Sequence, residues 1–438
     1  MTSTPSSVWL APDPLLPQRE VLLDPHAMEE RLRAHPAVQQ LGNITGCERR
    51  RVKYRVGESL RVLYRVCSRD GEYLVSARAF AMGKSTEAYR RAVATLPACN
   101  PAPPIFHEAE LETVFWLFPH DRKLPSLSVF SSRPRDLTRA VNMPGVRRRV
   151  VAYVPEKAAT AQCLDTHGDV LAYAKLYAED NQARSVRNHC ALYHRLSTDD
   201  PYLRLPRVLG YAAPQRLLFL EPQMGQRVTD LRGVALRTGL RQFGAAVARF
   251  HQLPAPPVVS RFTRLDLDHL VQAAGLIGQA RPDVAEHAAN LVKLLAEHRH
   301  SPTAAPVCLH GDVHAKNGIA QHGRVALIDL DQVALGPAAA ELGSFLASLH
   351  YWRCVGLLTS IEEREHEAAF LEGYATVGSL PDTDAVRWYT AAALLSERAL
   401  RAVNRIREQG LLHLPKILTT ARELLLDSCV GGHSPLEG

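Results

Sequence analysis

Three side chains in the second half of the chain have the types and spacing to handle a cation and a phosphate together. Asp312 and Asn317 lie in the run Val307-Cys308-Leu309-His310-Gly311-Asp312-Val313-His314-Ala315-Lys316-Asn317-Gly318. Asp329 follows in Val325-Ala326-Leu327-Ile328-Asp329-Leu330-Asp331. The pattern reads as an apolar strand ending in a loop, then two short strands around the turn His322-Gly323, with carboxylates at the exit. So arranged, the three groups can converge on one point. A divalent cation with bound phosphate takes hard oxygen ligands of this kind, typically one or two carboxylates plus an amide oxygen. The remaining carboxylate can accept the proton of an attacking hydroxyl. Each Asp alone is equally a turn residue or a strand terminator, so the constellation carries the reading.

Two other patterns invite chemistry and do not support it. Gly83-Lys84-Ser85 follows a strand and precedes a helix, but the first glycine of a phosphate loop would fall at Arg78. His310 and His314 have the spacing of a zinc helix, yet Gly311 breaks helix and no Glu follows His310.

The H-G-D-x-x-x-x-N run of His310 to Asn317, followed by Ile328-Asp329-Leu330-Asp331, resembles the aminoglycoside phosphotransferase family of small-molecule kinases. The resemblance implies an α+β, protein-kinase-like two-lobed fold, with an antiparallel β N-lobe, a mainly helical C-lobe and an additional N-terminal α/β module. It implies ATP and Mg2+ as cofactors and a small hydroxylated molecule (aminoglycoside, sugar or amino-alcohol type) as acceptor. By position, Asp312 resembles the catalytic base, Asn317 a magnesium ligand and Asp329 the magnesium carboxylate. Asp331 holds a second acidic position, and His310 resembles a loop-packing residue.

Further matches extend over roughly residues 147–405. Ala172-Tyr173-Ala174-Lys175-Leu176-Tyr177 is similar to the strand whose lysine holds the α and β phosphates, and a lysine in such an alternating run projects from a sheet face. Leu217 to Gly225 resembles the hinge between lobes, where backbone groups around Glu221, Pro222 and Gln223 would bind adenine. Two departures stand out. The helix expected at Ala183 to Leu196 has no glutamate to pair Lys175, and Glu341 stands where the family usually has aspartate. No Gly-rich phosphate-covering loop is present. These departures motivate an alternative, a pseudokinase-like nucleotide-binding regulatory protein. Protein-kinase activity is disfavoured by His-Gly-Asp in place of His-Arg-Asp and by the lack of an A-P-E segment.

The elements that must position these groups divide the chain into an N-terminal module (1–140), a sheet lobe with hinge (141–224) and a helical lobe (225–438). The first module contains a meander: Arg49 to Val56, Leu60 to Val66, then Tyr73 to Phe80. About 97 residues later the plan returns as Arg147 to Val154, Ala159 to Leu164 and Val170 to Tyr177, with Arg78 opposite Lys175. The first copy is a candidate degenerate relative of the second. Beyond residue 337 nearly everything has helical spacing: Ala338 to Trp352, Ile361 to Tyr374, Asp384 to Arg407 and Pro415 to Asp427.

Composition is that of a soluble globular chain of 438 residues, 46% hydrophobic and 22% charged. The net +7 is uneven: residues 1–328 carry 43 basic and 30 acidic side chains, whereas 329–438 carry 9 and 15. The acidic helical end suggests an acceptor side suited to a cationic or polyhydroxy substrate. The arginines of the front are dispersed and lack the aromatic stacking positions of single-strand binders, which argues against nucleic acid. No run approaches a membrane span or a signal peptide, and eight scattered cysteines without a C-x-x-C pair suit a reducing compartment. A cytoplasmic location with no membrane partner is the resulting expectation.

Overall fold

The structure, a computed structural model, describes residues 10–39, 42–81, 83–94, 104–131, 146–178, 182–299 and 305–430. After helix α1 (Pro25–Ala34), the first module forms one antiparallel sheet from β1 (Ile44–Arg55), β2 (Ser59–Ser68), β3 (Gly71–Phe80), β4 (Ile105–Glu108) and β5 (Thr113–Leu117), with α2 (Ser85–Ala94) after β3. Its strand order is β1-β2-β3-β5-β4. A second sheet comprises β6 (Arg147–Val154), β7 (Ala158–Leu164), β8 (Val170–Tyr177), β9 (Val208–Ala212) and β10 (Leu217–Leu220), with α3 (Gln182–Arg195) after β8. Its order, β6-β7-β8-β10-β9, is the same plan.

The correspondence reaches individual residues. Arg78 pairs with Val114 in the first sheet, as Lys175 pairs with Leu218 in the second. The Phe80 N–H donates to the Glu112 carbonyl and the Tyr177 N–H to the Arg216 carbonyl. Glu112 and Arg216, each just before the last hairpin strand, both have positive φ. The sequence showed only the meander, because β4 and β5 are short and separated from it by α2. The expected boundary near residue 140 lies in 132–145, outside the described residues, as does Glu179 just past Lys175.

The helical half is built from α4 (Gly233–His251), α5 (Leu267–Ala280), α6 (Ala285–Glu297), α7 (Ala338–Cys354), α8 (Ser360–Ala375), α9 (Thr383–Ala393), α10 (Leu400–Arg405) and α11 (Leu414–Val430). Short strands β11 (Val307–Leu309), β12 (Gly318–Gln321) and β13 (Arg324–Leu327) carry the loop between Leu309 and Gly318 and the turn after Leu327. Helices α4 and α8 touch backbone to backbone. A Cβ on Gly244 would lie 2.0 Å from the Phe370 carbonyl oxygen, and one on Gly373 would lie 1.8 Å from that of Arg241. Only glycine permits that approach. The crossing lets Phe243, Phe345 and Phe370 share one fully buried aromatic cluster, with the last two rings 4.0 Å apart. Apolar burial of this kind is worth roughly 1.5–3 kcal/mol per side chain.

The single helix expected over Asp384–Arg407 is instead interrupted. A π turn at Leu394–Ala399 separates α9 from α10, and Ile406 ends α10 in the left-handed conformation. Apolar periodicity continues through both features, so it could not reveal them. The N-terminal module is not a separate appendage. Its buried Leu22, Tyr64 and Phe115 belong to the same apolar core as Leu270, Val403, Leu411 and Leu418 of the helical half.

Candidate active site

Lys175 projects from β8 into a contact that joins the sheet lobe to the helical half. Its ammonium lies 2.6 Å from Asp331 Oδ2 and is also paired with Asp329 Oδ1. The Tyr177 hydroxyl donates to Asp331 Oδ1 (2.8 Å). Burial opposes the charge on Lys175, but Asp331, Tyr177 and Asp329 outweigh it and hold the pKa well above the ordinary lysine value. Asp331 thus provides the carboxylate that the helix lacks. His189, on that helix, is buried and bonded to the Pro206 carbonyl (2.6 Å), so it is engaged elsewhere. Asp329 adopts left-handed φ,ψ of 69° and 54°, a conformation that Asp tolerates better than most residues.

The loop holding Asp312 is fixed from beneath by Glu341, the first-turn carboxylate of α7. Its Oε2 accepts from the His310 N–H (2.8 Å) and its Oε1 from the Gly311 N–H (2.6 Å). His251, at the end of α4, donates through Nε2 to Glu341 Oε2 (2.9 Å), and its Nδ1 lies 2.9 Å from the Tyr374 hydroxyl on α8. Burial raises the Glu341 pKa, but the hydrogen bond from His251 and the neighbouring His310 backbone N–H hold it below the usual value. His310 Nε2 donates to the Ile328 carbonyl (3.0 Å), and its Nδ1 accepts from the Asp312 N–H (3.3 Å). One imidazole therefore ties the two motif segments together. Gly311 has φ +80°, and a Cβ there would lie 2.0 Å from the Gln332 carbonyl oxygen.

Asn317 Nδ2 donates to both the Asp312 carbonyl (2.9 Å) and its Oδ2 (3.2 Å), which leaves the amide oxygen free of that contact. The Asp312 carboxylate also lies 3.4 Å from His314 Nε2. Burial would raise the Asp312 pKa, but His314, Lys316, His310 and Arg401 bring it down to about 2. It is a carboxylate at neutral pH.

At the hinge, the Glu221 N–H donates to the Arg207 carbonyl (2.9 Å), and Glu221 Oε2 accepts from the Arg207 N–H. That leaves the Glu221 carbonyl and the Gln223 N–H without a backbone partner among the described residues, while Pro222 has no N–H to offer. Among the described residues no three His, Cys, Asp or Glu side chains converge as a metal site. A cation here would rest on the Asp329 carboxylate, the Asn317 amide oxygen and oxygens of its own ligand. That donor set fits magnesium, which is usually held by one or two carboxylates plus phosphate.

Sequence reasoning missed several residues. Glu156, in the turn between β6 and β7, is gripped by Arg78 (2.7 Å), Arg122 (2.6 Å) and Arg61 (3.4 Å) of the first module. Asp121 Oδ2 accepts from the Glu156 N–H (2.9 Å) and the Tyr153 hydroxyl (2.7 Å). That turn joins the first two strands of the second sheet. No local motif marks these residues, since their partners lie 32–95 positions away. The charge tally does not describe every face of the helical half. A cavity of about 250 Å3 opens beside the Asp312 loop, and its lining includes Lys316, Arg398, Arg401 and Arg407 against the single carboxylate of Glu397. The acidic excess of residues 329–438 comes largely from elsewhere, such as Glu362, Glu363, Glu365, Glu367 and Glu372 on α8. A net charge averages over faces that folding separates.

Among the described residues no helix is long and apolar enough to cross a membrane. No curated protein matches the chain. Solved structures similar to it include an aminoglycoside phosphotransferase of type APH(2'')-IIa in a ternary complex with streptomycin and ATP, at 16% identity and TM-score 0.46, covering 66% of this chain and 96% of that one. The phosphotransferase APH(3'')-Id from Streptomyces rimosus is 22% identical with TM-score 0.39, covering 61% and 92%. A choline kinase from Cryptosporidium parvum is 11% identical with TM-score 0.47, covering 71% and 97%. The family model described as "Phosphotransferase enzyme family" (APH) matches residues 158–389. That match takes in the Lys175 strand, the hinge, the Asp312 loop and Asp329, and spans more than half of the sequence. The chain belongs to this phosphotransferase family, with its protein-kinase-like α+β fold.

Proposed function

We propose that this small-molecule phosphotransferase moves the γ-phosphate of ATP to a hydroxyl of its acceptor, with Asp312 as the base. The observation that supports this most is the meeting of Lys175 with Asp329 and Asp331, more than 150 residues away, beside a loop that presents an ionised Asp312. Lys175 pairs with phosphate charge, the Glu221 carbonyl and Gln223 N–H receive the adenine edge, and Asn317 and Asp329 hold the metal. A magnesium ion bound there offsets the charge of the phosphates. Asp312 accepts the acceptor's hydroxyl proton as the oxygen–phosphorus bond forms and the bond from γ-phosphorus to the bridging oxygen breaks, releasing ADP. Asn317 orients the Asp312 carboxylate, and Glu341 fixes the backbone that carries it. Positioning and charge stabilisation account for most of the acceleration in such transfers.

The test is ATP consumption by the full chain against a panel of hydroxylated acceptors, with Asp312→Ala as control. Acceptor-dependent ADP release should vanish in the variant while nucleotide binding persists. Retained turnover in Asp312→Ala removes the base assignment. Magnesium-dependent ATP binding with no turnover on any acceptor favours the regulatory alternative.

A further inference from the structure

The cavity beside Asp312 has an electrostatic character that narrows the acceptor. The charged side chains lining the cavity are mainly cationic. The π turn at Leu394–Ala399 places Glu397 and Arg398 on its wall, and such insertions recur at functional sites. Arg398 is only 6% exposed, and although one of its terminal nitrogens donates to the Ser344 carbonyl (2.7 Å), its buried Nε has no hydrogen-bond partner. Arg401 and Arg407 line the same wall, and their side chains have no hydrogen bond or ion pair within the described residues. Lys316 comes from the Asp312 loop itself. The only carboxylate on the lining, Glu397, is spread between Arg264 at 3.7 Å and Arg398 at 4.0 Å.

The cationic wall continues into a neighbouring cavity of about 310 Å3 that shares Glu397 and Arg401. There Arg405, Arg264 and His269 of the helical half face Lys53 and Arg55 of β1. The first module therefore supplies part of this surface, and the Arg405 guanidinium also donates to the Val52 carbonyl (3.3 Å). Burial and the surrounding positive charges bring Arg398 and Arg405 down to about 10, and Lys53 down to about 8. Crowding of like charge beside a catalytic carboxylate disfavours a cationic ligand and concentrates an anionic one.

We propose that the acceptor is an anion: a small hydroxylated molecule carrying a phosphate or carboxylate group, gripped by Arg398, Arg401, Arg407 and Lys316 while its hydroxyl faces Asp312. The proposal rests on the phosphotransferase reading above and specifies its substrate class. Guanidinium pairs match the geometry of phosphate and carboxylate, so the shared chemistry is an oxyanion on a hydroxylated carbon frame.

The test pairs neutral acceptors with their anionic counterparts (a hexose with its 6-phosphate, glycerol with glycerate), with ethanolamine and an aminoglycoside as cationic arms. Turnover is read as acceptor-dependent ADP release. Binding of the hexose 6-phosphate is read by calorimetry on the nucleotide-saturated Asp312→Asn chain. An anionic member should bind and react, and Arg401→Gln with Arg407→Gln should weaken its binding by about tenfold or more, as loss of charge-assisted pairs does, while ATP affinity holds. Lys175→Ala should do the reverse, weakening ATP and sparing the anion. The proposal is overturned if no anion binds at millimolar concentration, or if a neutral or cationic acceptor reacts as well as its anionic partner and the arginine variants leave it untouched. The second result leaves phosphotransfer standing. If the chain neither binds nucleotide nor turns over, yet anion binding measured without nucleotide still depends on the arginines, the phosphotransferase reading falls and the anion site stands.

Discussion

Glu341 offers the sharpest test of how the Asp312 loop is held. The carboxylate is 3% exposed and receives three donors on two oxygens: the His310 N–H at 2.8 Å, the Gly311 N–H at 2.6 Å and His251 Nε2 at 2.9 Å. Hydrogen bonds to a charged group contribute about 1.5–3 kcal/mol each, but three bonds sharing one group are not additive. Removing one partner of such a buried network costs about 3–5 kcal/mol. For a cooperative unit of about 150–250 residues, 1 kcal/mol moves the melting temperature by about 2–4 °C. Glu341→Ala should therefore melt at least about 6 °C lower. Displacing the loop by an ångström costs on the order of 100-fold in rate, so kcat should fall by about that factor while ATP affinity changes little. Glu341→Gln keeps the volume and one acceptor oxygen but sets an amide against a donor, and should lie between the two. Calorimetry and steady-state kinetics on the same preparations read both effects. The folded pKa of Glu341 lies below its unfolded value, so its stabilisation is present above the unfolded pKa and is lost as pH falls through the folded one. The melting gap should accordingly narrow only in acid. A variant that melts with the wild type, or one that loses stability with kcat intact, refutes the positioning role.

Asp331→Asn leaves Lys175 with Asp329 as its only carboxylate partner among the described residues, so a cation must compete harder for Asp329; magnesium titration of ATP binding should show weaker apparent magnesium affinity. Glu156→Gln leaves Arg61, Arg78 and Arg122 crowded without their shared carboxylate, which should cost about 3–5 kcal/mol and raise the KM for ATP more than it lowers kcat. An unchanged melting temperature in that variant contradicts the clamp between the first module and the turn. Because Asp312 is held at about 2, below its unfolded value, its stabilising contribution is full above the unfolded pKa and fades as pH falls through about 2. Its base form is populated across the neutral range, so kcat should show no inflection from Asp312 between pH 5 and 8, roughly one to four units above the unfolded carboxylate range.

The reactive residues were legible in the sequence because they occur in two short runs whose local spacing sets their chemistry. His310 to Asn317 and Ile328 to Asp331 each need only a loop or a strand end to present their side chains, and β8 came out at the predicted Val170–Tyr177. Motifs of this kind are local. The partners that govern them are not. Asp331 as the counter-charge of Lys175, Glu341 beneath the His310-Gly311 backbone, and Glu156 inside a ring of arginines all join residues 30 or more positions apart. The strand order shared by the two sheets likewise depends on β5 and β10 pairing back across an intervening helix.

Charge was the least legible property of all. By itself the sequence determined that 329–438 carries more carboxylates than cations. Only the tertiary structure decided where they go. None of the α8 carboxylates lines the cavity beside the Asp312 loop, while a π turn and a left-handed Ile406 accompany the placing of Arg398, Arg401 and Arg407 on one wall. Composition sums over all faces of a helix, whereas a binding pocket responds to the one face that packing turns toward it.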